Sequence, residues 1–442
     1  MSTSAGTSFP EIRSRIDSGP LAAGQYLIFL ICFLLNLADG FDALAMSYAA
    51  PALRDDWGVH ASELGVIFSA ALAGMTMGAM FLSPLSDKLG RRTIILLSAA
   101  LTSLSMLSTP YAGSIEQLVV IRFLTGLGIG GILATAASMT SEFAPERYRS
   151  FAVITVTSGF AVGQVLAGPV AAYVIPNQGW PQLFIYGGLL TASLFMLAYF
   201  FLPESIEYTA SKTGNDQARL ASINSLLVRM QRQALDSLPQ SQVGDTVKQG
   251  NIGSLLNARF RWRTLHLWVI FFPAYWSAYF LVNWIPTLFV DSGLTQEQGI
   301  FALTVYTLGG LVGAFSIGYL STKLRLIALI AAMFLATAAL LGLFVAIKPE
   351  SLVLLNALVL LMGFAFIGGF TGLYPVAAQN YPTEIRTTGV GWCIGLGRFG
   401  AILSPTVAGL LVSAGWGMYG LFLFIAIPPI LLSGFLIWKL ER

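Results

Sequence analysis

The sequence predicts an all-α membrane protein with twelve transmembrane helices in two six-helix pseudo-repeats. Three observations predict it. Of the 442 residues, 56% are hydrophobic and only 10% charged, where a soluble domain carries about 25% charged residues. The apolar residues gather into twelve stretches, most of them near the length of about 20 residues that crosses a bilayer as a helix. The second half of the chain also repeats the polar landmarks of the first at a nearly constant offset.

Taken in order, the apolar spans run over 22–53, 62–85, 93–110, 116–141, 150–175 and 180–202, then 264–290, 297–320, 326–347, 351–379, 386–413 and 416–438. This divides the chain into a polar N-terminal segment (1–21), a first bundle (22–202), a polar central loop (203–263) and a second bundle with a short tail (264–442). The loop reads as surface chain with one amphipathic helix near 217–235. The first 20 residues lack the basic, apolar and small-residue order of a cleaved leader, so the first span is expected to stay in the mature protein.

Lysine and arginine set the orientation. With both termini on one side, twenty of the 24 bases fall on that side, from Arg13 and Arg15 through Lys248 to Arg442. Arg54 and Lys348 fall on the other side, and Arg122 and Arg398 lie within spans. The expected location is the inner (cytoplasmic) membrane, multi-pass, with both termini and the central loop in the cytoplasm.

The repeat is carried by polar residues. Pro51, Leu53, Asp56 and Gly58 recur as Pro286, Leu288, Asp291 and Gly293, and Lys88-Leu89 recurs as Lys323-Leu324, all 235 residues on. Pro145 and Arg149 map onto Pro382 and Arg386 at 237. Parallel repeats of this kind build secondary transporters. Asp39, Asp42 and Asp87 map onto Ala274, Ser277 and Thr322, so the architecture itself does not demand these acids.

Charges inside spans are the functional candidates. Asp39 and Asp42, in Asp39-Gly40-Phe41-Asp42, sit mid-span at i, i+3 on one helix face. Each would cost roughly 2.5–3.5 kcal/mol on insertion scales if ionised toward lipid. Arg122 opens Arg122-Phe-Leu-Thr-Gly126-Leu-Gly128-Ile-Gly130; it either snorkels to the membrane surface or pairs with Asp39 or Asp42. Arg398, in Gly397-Arg398-Phe399, has no acid within its own stretch. Its planar fork suits either an acid across the bundle or the carboxylate of a substrate. Aromatic residues, among them Tyr275, Tyr279, Trp392 and Phe399, lie in neighbouring spans and supply surfaces for a ring. Gly159-x-x-x-Gly163-Gln164 reads as a packing face.

The loop motif Ser83-Pro-Leu-Ser-Asp87-Lys88-Leu-Gly90-Arg91-Arg92 resembles the cytoplasmic signature of the major facilitator superfamily, with Ser83 in place of its first glycine. Glu142-Phe-Ala-Pro145 through Arg149 resembles a second turn motif of that superfamily. These residues are expected to gate the cytoplasmic side. With Asp39-Gly-Phe-Asp42, Asn283-Trp284-Ile-Pro286 and Tyr381-Pro-Thr-Glu384-Ile-Arg386 leading to Gly397-Arg398, the chain resembles the superfamily's aromatic acid:proton symporter family over its whole membrane region. The resemblance implies import of a small organic acid anion with protons, as in aromatic compound catabolism. It implicates the two first-span acids, Asp87, Glu142, Arg386 and Arg398 in transport.

His60 and His266 stand alone and Cys32 and Cys393 lie in apolar spans, so no metal site, disulfide or cofactor is expected beyond the proton gradient. The expected partners are the organic acid anion, the proton and the bilayer; a nucleic-acid partner is not, and the chain is expected to act as a monomer. A drug:proton antiporter and a neutral sugar or polyol porter remain as alternatives. A membrane sensor or enzyme would need an effector domain or a catalytic cluster, and neither is visible.

Overall fold

The computed structural model describes residues 9–212, 215–238 and 252–440. Lys248 and Arg442, counted above, lie outside the described residues, as does the side chain of Glu384. In a bilayer every backbone polar group must be paired within the chain, which leaves helices as the solution for apolar stretches of this length. Among the described residues twelve helices are long and apolar enough to cross a membrane.

In chain order the helices are α1 (Pro10–Asp17), α2 (Ala23–Trp57), α3 (Ala61–Leu89), α4 (Arg91–Tyr111), α5 (Ile115–Phe143), α6 (Glu146–Gln178) and α7 (Trp180–Phe201). Next come the short α8 (Ile206–Ser211), α9 (Asp216–Arg229) and α10 (Ile252–Leu255). The second unit follows as α11 (Arg261–Asp291), α12 (Gln296–Leu320), α13 (Leu326–Ile347), α14 (Leu352–Gln379), α15 (Thr383–Ser413) and α16 (Met418–Lys439). The start of α2 and the end of α16 thus lie on one face of the bundle, here the terminal face.

Glycine sets the tightest crossings. A Cβ on Gly40 would strike the Phe160 carbonyl, and one on Gly163 would strike that of Leu37, so α2 and α6 touch backbone to backbone beside Asp39 and Asp42. Gly126 and Gly130 do the same for α5 against α3. Small residues at such crossings let helices approach where lipid offers no hydrophobic driving force between them. Gly159 also packs against α2, at Phe33, in keeping with the packing face read for that motif.

The central loop carries the amphipathic helix expected there, with Ile223 and Leu227 on its buried side. Ile206, Ala210, Ile223, Leu227 and Met230 are buried in one cluster with Ile12 and Ile16 of α1 and with Phe143 and Ala198 of the bundle. Their apolar face is covered by the terminal face of the first unit rather than by solvent. The loop helix is shorter than expected, ending at Arg229. Gln231 adopts a left-handed backbone (φ 57°), and Leu235 turns back to exchange two hydrogen bonds with the Asn224 side chain. Cys32 and Cys393 are both free and buried.

Candidate functional site

The first-span acids do not share a partner. Asp42 accepts a hydrogen bond at 3.1 Å from the Arg122 guanidinium of α5, and their side chains are 3% and 2% exposed. Arg122 also donates to the Thr109 hydroxyl at 2.5 Å and lies over the Phe184 ring at 4.8 Å. This excludes the snorkelling alternative, because the cation is buried on an acid. Asp39 lies one turn away, fully buried, and neither carboxyl oxygen meets a donor among the described residues. A buried charge is costly unless it is paired, so the two carboxyls occupy chemically different sites on one helix.

Asp42 and Arg122 open onto a cavity of about 40 Å³ between the two units. Its walls include Gln164 of α6 and, from the second unit, Tyr279 and Asn283 of α11. That space has room for a few waters but not for an aromatic acid, since pockets for small molecules run from about 300 Å³. The units are therefore drawn together at this level.

The closure continues toward the face opposite the termini. Ser47 donates to Asn283 at 3.1 Å. Ser69 bonds the Ile402 carbonyl at 2.5 Å and the Thr406 hydroxyl at 2.7 Å, and the Ser413 hydroxyl accepts from the Ser62 amide at 3.0 Å. Arg54 and Asp291 form a two-pronged ion pair at the helix ends. On α15 the side that meets α3 through Ile402, Thr406 and Gly409 continues through Arg398 to Gly395 and Gly391. Among the described residues nothing lies within 4 Å of a Cβ built on either of those two glycines. The units touch on the far side and part on the terminal side.

Arg398 stands at that parting. It has no acidic partner among the described residues, and its chain neighbour Gly397 packs against Tyr275, which joins Tyr279 and Tyr374 in one group. These tyrosines form a compact wall. Tyr275 stacks on Tyr279 at 6.2 Å, meets Phe370 edge-on at 4.8 Å and shares a 2.7 Å hydrogen bond with Tyr374. Gly397 supplies the gap into which Tyr275 fits. The structure does not bring the other two aromatic candidates to this wall. Trp392 pairs with Trp268 at 5.9 Å. Phe399 is 57% exposed and makes no ring contact among the described residues. Trp284 serves the unit interface, donating to the Pro405 carbonyl at 3.2 Å and packing on Phe68.

Three of the gating candidates, Asp87, Arg91 and Glu142, form a network on the terminal face of the first unit. Arg91 sits between Asp87, at 3.5 Å, and Glu142, and Glu142 also accepts from the Ser205 hydroxyl. The Asp87 side chain is 70% exposed, and Lys88 is exposed too. Arg92 donates its backbone amide to Glu204 at 3.0 Å and its guanidinium to the Tyr199 carbonyl. Gly90 makes the turn with φ of 99°, a conformation that favours glycine. Arg149 is half-buried with its Nε unpaired among the described residues. Arg386 donates to the Tyr381 carbonyl at 3.4 Å.

Sequence reasoning missed Thr109, Ser47 and the Arg54–Asp291 pair. The one available signal was that Arg54 is one of only two bases assigned to the far side. The family model for the major facilitator superfamily matches residues 31–393 and 267–442.

The chain belongs to the major facilitator superfamily.

It is a membrane transporter and not an enzyme. Among its relatives, the 4-hydroxybenzoate transporter PcaK of Pseudomonas aeruginosa is 35% identical over 97% of this chain and 95% of its own. The gallate transporter of Pseudomonas putida is 34% identical over 95% of this chain and 92% of its own. Among solved structures, a D-xylose–proton symporter superposes with a TM-score of 0.69 at 16% identity, covering 94% of this chain and 97% of that one. That likeness shows the shared twelve-helix fold.

Proposed function

We propose that this transporter imports an aromatic or related organic acid anion together with protons by alternating access. The observation that carries the reading is the two-sided centre: among the described residues, an acid without a partner beside a paired acid on α2, and on α15 a cation without an acidic partner beside a tyrosine wall on α11 and α14. The names of the relatives, transporters of 4-hydroxybenzoate and gallate, support the substrate class.

In this reading Asp39 is the proton carrier. Asp42 already has its cation in Arg122, whereas a proton arriving at Asp39 removes an uncompensated buried charge. The substrate carboxylate docks on Arg398 by charge-assisted hydrogen bonds, with its ring against Tyr275 and Tyr279. Loading takes place when the far side is open. The units then close there, as they stand in this structure, and release cargo and proton toward the terminal face. Charge distribution supports placing that face, with both termini, in the cytoplasm of a cell whose inner membrane holds the protein. The centre is built within one chain, which supports a working monomer. The Asp87, Arg91 and Glu142 network, with Arg149 and Arg386, is read as the gate on the cytoplasmic side. Proton symport offsets the roughly 2.3 kcal/mol per 100 mV that an anion meets on entering a negative interior.

The test is uptake of labelled 4-hydroxybenzoate, gallate and benzoate into proteoliposomes under an imposed pH gradient, acid outside. Accumulation that collapses with an uncoupler is expected. Uptake indifferent to the gradient would refute proton coupling, and failure of every acid in the panel would refute the substrate class.

A further inference from the structure

The two units repeat, but their corners on the terminal face are finished differently. In the first unit α1 closes the corner between α5 and α6. Arg13 donates to the carbonyls of Ser141, Glu142 and Ala144 at the end of α5, at 3.4, 3.1 and 2.6 Å. It also pairs with Asp17 at 3.1 Å, and Asp17 accepts from the first backbone amide of α6, that of Glu146, at 2.7 Å. A cation thus sits on the last carbonyls of one helix and an anion on the first amide of the next, each matched to the helix dipole it meets.

The same corner of the second unit lies between α14 and α15, where Pro382 and Arg386 repeat Pro145 and Arg149. Here the structure has an open pocket of about 640 Å³. Arg259, Arg263 and Arg386 converge on it from two separate segments, with Asn257 and Asn380 beside them. No acidic side chain is among its described walls, and none of the three arginines has an acidic partner among the described residues. The walls are built rather than loose. The Asn257 side chain accepts from the backbone amides of Arg259 and Phe260, both at 3.1 Å. Tyr381 donates to Thr264 at 3.2 Å, tying the α14–α15 turn to the start of α11. The N-terminus of α15 opens at the same place and adds backbone amides suited to an anion.

The setting says which anion. Trp262, in the same arginine-bearing segment, is 70% exposed, and exposed tryptophan beside a transmembrane helix marks the level of lipid headgroups. Leu256 and Leu265, on either side of it in sequence, are exposed as well. Basic pockets between helices at this level suit lipid phosphates. We propose that the pocket formed by Arg259, Arg263 and Arg386 binds the phosphate of an anionic phospholipid, which fills in the second unit the place that Asp17 of α1 fills in the first. Recognition is of the phosphate, so the experiment separates a lipid source from a free one.

The full chain is purified in zwitterionic detergent–lipid micelles and titrated with phosphatidylglycerol or phosphatidylcholine, with bound lipid read by native mass spectrometry. Parallel titrations contain millimolar inorganic phosphate. The expected result is at least a ten-fold preference for phosphatidylglycerol, unaffected by inorganic phosphate. It should fall to parity in Arg259→Gln/Arg263→Gln and return in Arg259→Lys/Arg263→Lys, which keeps the charge and reports on folding. Lys212→Gln/Arg229→Gln, which removes two exposed bases elsewhere on the same face, should keep the preference. Parity in the unaltered protein, a preference that survives the double glutamine variant, or displacement of the lipid by inorganic phosphate would overturn the proposal.

Discussion

Arg54 grips Asp291 through two hydrogen bonds, at 2.9 and 2.5 Å, across the far-side ends of α2 and α11. Asp291 is the repeat equivalent of Asp56, yet the two acids do different work. Asp56 accepts from the Trp180 indole at 3.1 Å within its own unit, while Asp291 reaches across to the other unit. With the Ser62, Ser69 and Trp284 contacts, this pair holds the far side shut. Its side chains are 31% and 26% exposed, and partly exposed pairs of this kind contribute about 0.2–1 kcal/mol. It biases the balance between the two access states without dominating it.

Breaking that pair is expected to favour the far-side-open state. A cysteine at Ser69 (Ser69→Cys) reports opening by thiol labelling, since Cys32 and Cys393 are buried. Arg54→Gln or Asp291→Asn should raise its labelling rate about two- to five-fold, the range that corresponds to up to about 1 kcal/mol. The charge swap Arg54→Asp/Asp291→Arg should restore the slower rate. Unchanged labelling in both single variants would remove the pair from the gate.

Removing one member of the buried Asp42–Arg122 pair leaves the other without a counter-charge. Arg122→Gln is expected to lower stability by about 3–5 kcal/mol, read as a fall in unfolding temperature in detergent. Arg122→Gln/Asp42→Asn should regain most of that loss. If the double variant is as unstable as the single, uncompensated charge is not the cause.

Asp39→Asn keeps the size of the side chain and removes its proton site. Substrate counterflow, which needs no net proton movement, should persist, while uphill uptake driven by a pH gradient is lost. Retained uphill uptake would move the proton to another group.

Arg398→Gln should raise the apparent KM for the acid anion by about 10- to 150-fold, as expected for loss of a charged hydrogen bond of about 1.5–3 kcal/mol. Tyr279→Phe keeps the ring and should change KM much less. An unaltered KM in Arg398→Gln would free the arginine for a purely structural role.

Gly40→Ala places a methyl group against the Phe160 backbone, and the clash is with main chain that cannot rotate away. Overpacking of this sort costs about 1–3 kcal/mol or more. The variant should be poorly expressed or inactive, whereas Gly391→Ala, facing open space, should be tolerated in expression assays.

The twelve spans and the doubled plan were legible because both rest on local properties. Hydropathy over about 20 residues decides whether a segment enters a bilayer. Landmarks such as Pro51 and Asp56, met again 235 residues on as Pro286 and Asp291, mark the repeat without any contact being known. What the central-loop helix packs against was not legible, for the opposite reason. Ile223 and Leu227 mark the apolar side of that helix, but only the structure gathers them into one buried cluster with Ile12 and Ile16 of α1. The site was half legible. Two acids and two arginines inside spans announced themselves by their cost, while Phe399 and Trp392 looked as eligible as Tyr275 because sequence does not reveal which way a helix is turned.

The sequence alone determined the fold class, the face on which most bases lie and the presence of Asp39, Asp42, Arg122 and Arg398 within apolar helices, since each follows from composition along the chain. Only the tertiary structure decided that Arg122 takes Asp42, across 80 residues of sequence, and leaves Asp39 without a donor among the described residues. That choice depends on the rotation and depth of α2 among its neighbours, and the backbone contact at Gly40 and Gly163 sets it against α6. The same holds for the far-side closure by Arg54 and Asp291 and for the tyrosine wall beside Arg398.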